Sequence, residues 1–467
     1  MPLAVSGLKA VAIGEPRTKG VAQLNSVLRK DFAVRYVLDL FYLLLLLVCS
    51  PWLLWQAIRK GKYREGYGAK LLGAAPVRQG DRVCVWIHAV SVGEVNLVRP
   101  LIAAIRQRRP DWECVLSTTT MTGMALARTR YPDLGVFYAP LDFSWAVSAA
   151  MRRIRPHALV LAELELWPNL IAAARRHGAR VAVVNGRLSE HSQRGYGWIR
   201  PLAAWILRRI DLIAVQDETY ARRFRRLGAE ATAVHVTGSM KYDGAETDRE
   251  NEATARLRQL ASISPDDVVF LAGSTQDPEE SLALDAFLSL ADSWPRLRLI
   301  VVPRHPDRFD SVAELLARRG AAWQRRTALE RGADPSARIL LVDVVGELGA
   351  WWGTAQIAYV GGSMGPRGGQ NMIEPAAYGA AVSFGPNTRN FRDIVAAMLG
   401  RQAALVVHDG EEMTAFVRRC LEDPEYRARL GERARTLVAE QLGATARTFE
   451  LLDRLIRNPA SEGAPRP

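Results

Sequence analysis

The sequence predicts an α/β protein: two doubly wound, parallel-sheet domains of similar size behind one long apolar helix. Three observations carry this. The chain has 467 residues, too many for one hydrophobic core and suited to two or three domains. From residue 81 onward, short apolar, β-rich runs alternate with stretches at helical spacing. Ahead of them, Tyr36 to Ala57 reads YVLDLFYLLLLLVCSPWLLWQA, a largely apolar run in which Asp39 is the only charge.

That first run is about 22 residues, or roughly 33 Å of helix, enough to span a bilayer core. Asp39 lies near one end, where burial costs least, Pro51 is a site for a kink, and Trp52 and Trp55 suit a membrane interface. The basic run Arg59, Lys60, Lys62 and Arg64 places the bulk of the chain on the cytoplasmic side, although Arg29, Lys30 and Arg35 compete from the other flank. No small-residue cleavage site follows, which argues against a secretory signal peptide. A buried core helix is the alternative reading. Residues 1–30 show no clear periodicity, so 1–35 is expected to be a flexible basic tail and 36–60 an anchor helix.

The first α/β half, 61–245, offers the strands VCVWIHAV, ECVLSTTT, GVFYAP, ALVLAELE, VAVVNGR, LIAVQDE and AVHVTG. The second, 266–455, offers VVFLAGS, LRLIVVPRH, ILLVDVV, IAYVGGS, AVSFGPN and ALVVHD. Near-continuous apolar strands alternating with helices mean parallel sheets covered on both faces. The charged stretch 246–265, ending in Ser264-Pro265-Asp266-Asp267, reads as a linker with one helix, and 456–467, Pro-rich at its end, as a flexible tail. Two such domains predict a ligand cleft between them, at the carboxyl ends of the strands.

The formal charge is +13 and the sequence pI about 9.9, so the chain is drawn to anions. Neither zinc-finger spacing nor an aromatic RNA-binding signature is present, and nucleic acid is not the expected partner. Cys49, Cys84, Cys114 and Cys420 form no CxxC and read as small buried hydrophobes in a reducing compartment. With no HExxH and no Asp-x-Asp, the sequence supports no metal.

His88-Ala-Val-Ser-Val-Gly-Glu94 follows a strong strand and opens a helix, where a doubly wound fold presents catalytic groups. Glu94 is then a general base for an acceptor hydroxyl, or equally the far end of a Ser91-x-x-Glu94 capping box. Glu163 and Glu165 end another strand, where alternation puts both on one face; a solvated strand end is the alternative. Arg187 and Lys241 close two further strands and are either cleft cations or ordinary surface. Ser117 to Thr120, with Thr122 and Gly123, reads as helix capping ahead of a sugar or phosphate site. In the second half, Val360 to Pro375 is glycine-rich between strand and helix, neither GxGxxG nor a P-loop. Its amides and Arg367 suit phosphate, and Glu374 either takes a ribose diol or caps with Asn371. Pro303-Arg304-His305-Pro306 and Val345-Gly346-Glu347 end neighbouring strands, which favours a nucleotide site over independent turns.

These motifs together resemble one family, the 3-deoxy-D-manno-octulosonic acid (Kdo) transferases of lipid A assembly. The resemblance runs from the apolar segment to about residue 450. It includes Tyr63-Arg64-Glu65, SVGE, ELWPN, RLSEHSxxGY, TGxxKYD, VPRHPxRF, VGEL, VGGS, GGxN…EP and FGPNTxNFxDI. It implies two Rossmann-like domains in the GT-B arrangement with an N-terminal membrane-anchoring helix, and inverting transfer of Kdo from CMP-Kdo to a lipid IVA-type acceptor without metal or cofactor. The implied place is the cytoplasmic face of the inner membrane, with the acceptor on the first domain and CMP-Kdo on the second. Glu94 resembles the family's proton acceptor, and Glu165 and Lys241 its transition-state stabilisers. CMP would be held by Pro303, Arg304, Val345, Gly346, Glu347, Asn371, Met372, Ile373 and Glu374. The sequence departs from the pattern at Leu164, where Thr is common, at Gln370, where His is usual, and in the tail ahead of the anchor. The alternative is another membrane-surface GT-B transferase with a different nucleotide sugar and lipid acceptor.

Overall fold

A computed structural model of the protein describes residues 17–60 and 65–457. Tyr63 and Arg64 of the family pattern, and the tail from 458 onward, lie outside the described residues. The chain divides into two compact units, Met1–Met240 with Gly443–Pro467, and Lys241–Leu442.

The first unit is built on seven parallel strands: β1 (Cys84–His88), β2 (Glu113–Thr118), β3 (Gly135–Tyr138), β4 (Ala158–Ala162), β5 (Arg180–Gly186), β6 (Leu212–Val215) and β7 (Val234–Val236), in the order β3-β2-β1-β4-β5-β6-β7. Each central strand sends alternate side chains into two different cores. Trp86, Leu159, Leu161, Val181 and Val183 face one, and Val85, Ile87, Val160, Ala182 and Val184 the other. Burial on both faces is why these strands read as unbroken apolar runs.

The second unit repeats the plan with β8 (Val268–Thr275), β9 (Leu297–Pro303), β10 (Trp323–Arg325), β11 (Ile339–Leu341), β12 (Ile357–Val360), β13 (Ala381–Phe384) and β14 (Ala404–Val406), in the order β10-β11-β9-β8-β12-β13-β14. The sequence reading lacks only β10, a three-residue, half-buried edge strand that ends in Gln-Arg. In each sheet the strand order reverses once beside its first strand, between β1 and β4 and between β8 and β12. Doubly wound sheets bind ligands at the carboxyl ends of the strands flanking such a point.

Three boundaries differ from those predicted. The N-terminal helix runs from Arg17 to Lys60, so 17–35 is helical rather than part of a flexible tail; this segment holds good helix formers and no proline. The stretch 246–265 is no free linker. Its helix Glu252–Leu260 is capped by Asn251, Leu257 enters the second core, and Arg249 donates to the carbonyls of Tyr378, Gly353 and Ala355. The last helix, Ala444–Arg457, belongs with the first unit instead of the second. Phe449 and Leu452 lie in a first-unit core, and Asp453 receives both Nε and Nη2 of Arg109, at 2.6 and 2.9 Å.

The long helix is fastened to the first unit by polar groups. Asp39 is buried, although the sequence places it where burial is cheap. It accepts from the backbone amide of Ser144 at 2.8 Å, the Ser144 hydroxyl at 2.5 Å and the Asn169 amide at 3.3 Å. Tyr42 donates to Asp142, whose carboxylate also takes the amides of Asn169 and Leu170. Helix Ser144–Ile154 has no side-chain cap of its own, and Asp39 supplies one from a different element. Pro51 sits inside the long helix without ending it. Its missing N–H would leave the Leu47 carbonyl without a donor, and the Ser50 hydroxyl donates there at 2.8 Å.

Candidate active site

At the first unit's reversal point, β1 leads into the turn Ala89-Val90-Ser91 and then helix Val92–Leu97. The neighbouring strand pins this turn: Ala89 N donates to Ser117 O, and Thr118 Oγ1 to Val90 O. Glu94 is half-buried in the first turn of the helix. Its Oε2 accepts from the Val90 amide at 2.7 Å and its Oε1 from the Ser91 hydroxyl at 3.2 Å. This is not a capping box: the Ser91 side chain accepts no helix amide and gives its proton to Glu94, and Glu94 takes the amide of Val90 rather than that of the N-cap Ser91. Burial drives the Glu94 carboxyl up to about 7; the Val90 amide opposes this, the carboxylates of Glu165 and Glu163 add to it, and the Ser91 hydroxyl opposes it weakly.

Glu163 and Glu165 follow β4, across the same reversal point. They do not alternate on a strand, because β4 ends at Ala162 and Glu163 turns the chain at φ 56°. The two carboxylates have separate partners. Glu163 pairs with Arg187 at 3.1 Å. Glu165 accepts from the Trp167 indole at 2.8 Å, and burial holds its carboxyl above the usual range. Three acidic side chains therefore share one sheet edge, and one cation, Arg187, faces Glu163. Lys241 lies one residue beyond Met240, whose amide donates to the buried Asn185 side chain at the end of β5, at 2.9 Å. Lys241 is exposed in the turn that opens the second unit.

The hydroxyl row on β2 is structural. Ser117 Oγ accepts from Trp86 Nε1 at 2.7 Å and contacts His88 Nδ1 at 2.9 Å, and Thr120 caps the next helix by accepting from Gly123 N. Burial pulls His88 down to about 4, so the imidazole is neutral and part of the core.

In the second unit the predicted nucleotide residues surround the reversal point beside β8. Pro303 is buried at the end of β9, and Arg304 is exposed, its backbone amide fixed to Thr275 O at 3.0 Å. Glu347 is held by both Nε and Nη2 of Arg326, each at 2.8 Å, and by the Trp351 indole. Val345 is 77% exposed, and Gly346 turns at φ 98°, so this loop offers a ligand its backbone and the Val345 side chain. Met372 and Ile373 point into the core, leaving only their main chain. Asn371 donates to Glu374 at 3.0 Å and accepts from Ile373 N at 3.1 Å.

One residue here was not singled out from sequence. Glu279, buried at the start of helix Glu279–Leu290, accepts from the amides of Gln276, Gly362, Ser363 and Met364 at 2.7 to 2.9 Å, and from the Tyr359 hydroxyl. The first amides of the glycine-rich loop are thus tied to protein and are not open for phosphate. Asp-Pro-Glu-Glu reads as an ordinary acidic helix start, so nothing in the local pattern distinguishes it. Among the described residues, no group of three or more His, Cys, Asp or Glu side chains is arranged to hold a metal ion.

Residues 62–244, which contain Glu94, Glu165 and Lys241, match the family described as 3-deoxy-D-manno-octulosonic-acid transferase (kdotransferase). The chain is 32% identical over 423 residues to the 3-deoxy-D-manno-octulosonic acid transferase of Haemophilus influenzae, covering 88% of this chain and 97% of that one. It is 33% identical over 413 residues to that of Bordetella pertussis, covering 86% and 95%. The chain belongs to the Kdo transferase family. It is accordingly a glycosyltransferase, and its polar sheet edges belong to a Kdo transferase. Its fold is also that of the UDP-GlcNAc 2-epimerase from Neisseria meningitidis solved with UDP-GlcNAc, with a TM-score of 0.53 at 14% identity over 80% of this chain and 100% of that one. This likeness extends over both Rossmann-like units and concerns the fold alone.

Proposed function

We propose that this Kdo transferase moves Kdo from CMP-Kdo to a lipid IVA-type acceptor, with inversion, at the cytoplasmic face of the inner membrane. The observation that carries the chemical assignment is Glu94. It is a half-buried carboxylate at a sheet reversal point, oriented by the Val90 amide and the Ser91 hydroxyl, in the SVGE element of the matched region. In this reading the ionised Glu94 takes the proton of the acceptor hydroxyl. The freed oxygen attacks the anomeric carbon of Kdo from the face opposite CMP, and the bond from that carbon to the phosphate oxygen breaks. Glu165 offsets positive charge building on the sugar, and Lys241 and Arg304 offset negative charge on departing CMP. Pro303 and Arg304, Val345 to Glu347, and Asn371 to Glu374 hold the nucleotide. Glu347 and Glu374 are already bonded, and in this reading they fix their loops while the backbone contacts CMP.

The segment Val34–Trp52 is long and apolar enough to cross a membrane by length and composition. Asp39 and Tyr42 fasten one side of it to the first unit, while Leu40, Phe41, Leu44, Leu47 and Val48 are exposed. We read it as an anchor embedded by that open side in an anionic leaflet, which the net charge of +13 favours.

The test is an assay of the full chain with CMP-Kdo and a tetra-acylated lipid A precursor, read by product mass. Glu94→Gln keeps the side-chain shape and one acceptor oxygen for the Val90 amide, turns the Ser91 contact into one in which the new NH2 donates to the hydroxyl, and removes the base. Transfer should fall by a factor of about 100 or more, while CMP still binds. Near wild-type transfer by Glu94→Gln would remove the base assignment, and tighter binding of UMP than CMP would remove the donor.

A further inference from the structure

Helices Glu190–Trp198 and Glu218–Leu227 follow β5 and β6, so they begin at the same sheet edge as Glu94. Between them is a pocket of about 330 Å³ lined by Glu190, Gln193, Thr219, Arg222, Arg223 and Arg226. The acidic residues of these helices are already engaged with arginines outside the pocket: Glu190 with Arg194 at 2.5 Å, and Glu218 with Arg225 at 2.8 Å. Among the described residues, Arg222, Arg223 and Arg226 make no ion pair with a carboxylate. Arg223 donates to Leu188 O at 2.8 Å and lies over the Tyr220 ring, and Arg222 reaches only Thr219 Oγ1 at 3.4 Å. Three adjacent guanidiniums repel one another unless an anion sits among them. With the Glu190 carboxylate of the lining bonded to Arg194, what remains around the pocket is forked donors, an amide and a hydroxyl, which match the oxygens of a phosphate monoester.

A second observation narrows the source of that phosphate. Trp198, at the far end of the same nine-residue helix, is 91% exposed, and Ile199 beside it is 47% exposed. An indole on an open surface next to cationic side chains suits the headgroup region of a membrane. β1 and β6 are three ladder steps apart in the order β1-β4-β5-β6, about 14 Å at the usual strand spacing. That separation fits a phosphate on a sugar ring next to the ring that carries the reacting hydroxyl.

We propose that Arg222, Arg223 and Arg226 form a phosphate subsite for the acceptor glycolipid, selecting acceptors phosphorylated away from the hydroxyl that Glu94 deprotonates. The inference rests on the transfer reaction proposed above. The experiment uses the full chain in detergent micelles and the double variant Arg222→Gln/Arg226→Gln, which keeps the Arg223–Leu188 bond. Steady-state kinetics are measured with the phosphorylated acceptor and with the same acceptor after phosphatase treatment. The expected result is a KM for the phosphorylated acceptor raised about 10-fold or more, as loss of charge-assisted hydrogen bonds implies. The KM for CMP-Kdo should be unchanged, and the dephosphorylated acceptor should serve wild type and variant equally poorly. An unchanged acceptor KM, or an equal loss with both acceptors, overturns the subsite. A parallel loss of binding to phosphatidylglycerol vesicles overturns it in favour of a general leaflet contact. If the wild type transfers no Kdo at all, the reaction fails separately, and the pocket is read by titrating an acyl-free phosphorylated glucosamine disaccharide. Binding that the variant loses supports the subsite. Equal binding by the variant, or equally tight binding of inorganic phosphate alone, overturns it.

Discussion

In the proposed reaction, Glu94 serves backbone and chemistry with one side chain. The Val90 amide and Ser91 hydroxyl fix its orientation, and burial with Glu165 and Glu163 raises its carboxyl to about 7. A general base works only when ionised, so kcat/KM should rise with pH through about 7 and level off above it. The Glu163 carboxylate contributes to that raised value by charge alone. Glu163→Gln removes a negative neighbour, favours ionised Glu94, and should move the acid limb to lower pH by roughly half a pH unit. A limb that stays in place, in a pH profile with CMP-Kdo saturating, would separate Glu94 from the titration. At this scale the sequence identified the acids but not their partners. Glu94, Glu163 and Glu165 stand in recognisable strand-end motifs, whereas Glu279 shows its role only when β12 delivers three loop amides to it from more than 80 residues away.

At the scale of elements, the strands were legible because burial on both faces leaves them apolar throughout, as in Val268 to Ala272. The helices were legible as helices but not as to which sheet they cover. Ala444–Arg457 carries the same amphipathic pattern whichever core receives Phe449 and Leu452, and only Arg109 and Arg108 across the first unit decide it. The long helix shows the same limit. A lone Asp39 in an apolar run reads as a charge tolerated near a span's end, while in the fold it caps helix Ser144–Ile154. Asp39→Ala should leave the Ser144 amide and the Asn169 side chain short of partners, at a cost of about 1–3 kcal/mol. Thermal melting in detergent should show a midpoint lowered by about 4 °C or more, with faster proteolysis after Lys60. A variant that melts like wild type would mean that the helix is held by its apolar contacts alone.

Over the whole molecule, the return of the C-terminus to the first unit makes residues 443–457 part of a core they leave for some 200 residues of chain. Ending the chain after Leu442 would uncover the surfaces that Phe449 and Leu452 bury. Each is worth about 2 kcal/mol or more, and the two salt links to Arg108 and Arg109 go with them. The truncated protein should melt at a lower temperature or accumulate insolubly. A soluble product with an unchanged first transition would show the helix to be dispensable.

The same return also sets how the two halves of the polypeptide are joined. The chain leaves the first unit after Met240 and re-enters it at Gly443, and Arg447 Nε donates to Thr237 O at 2.8 Å, stitching the outgoing and incoming segments together near their exits. Lys241 follows directly on Met240, whose amide is tied to the buried Asn185 side chain. The positive charge assigned to the departing nucleotide is thus carried on backbone that the first unit's own hydrogen bonds hold at its near end.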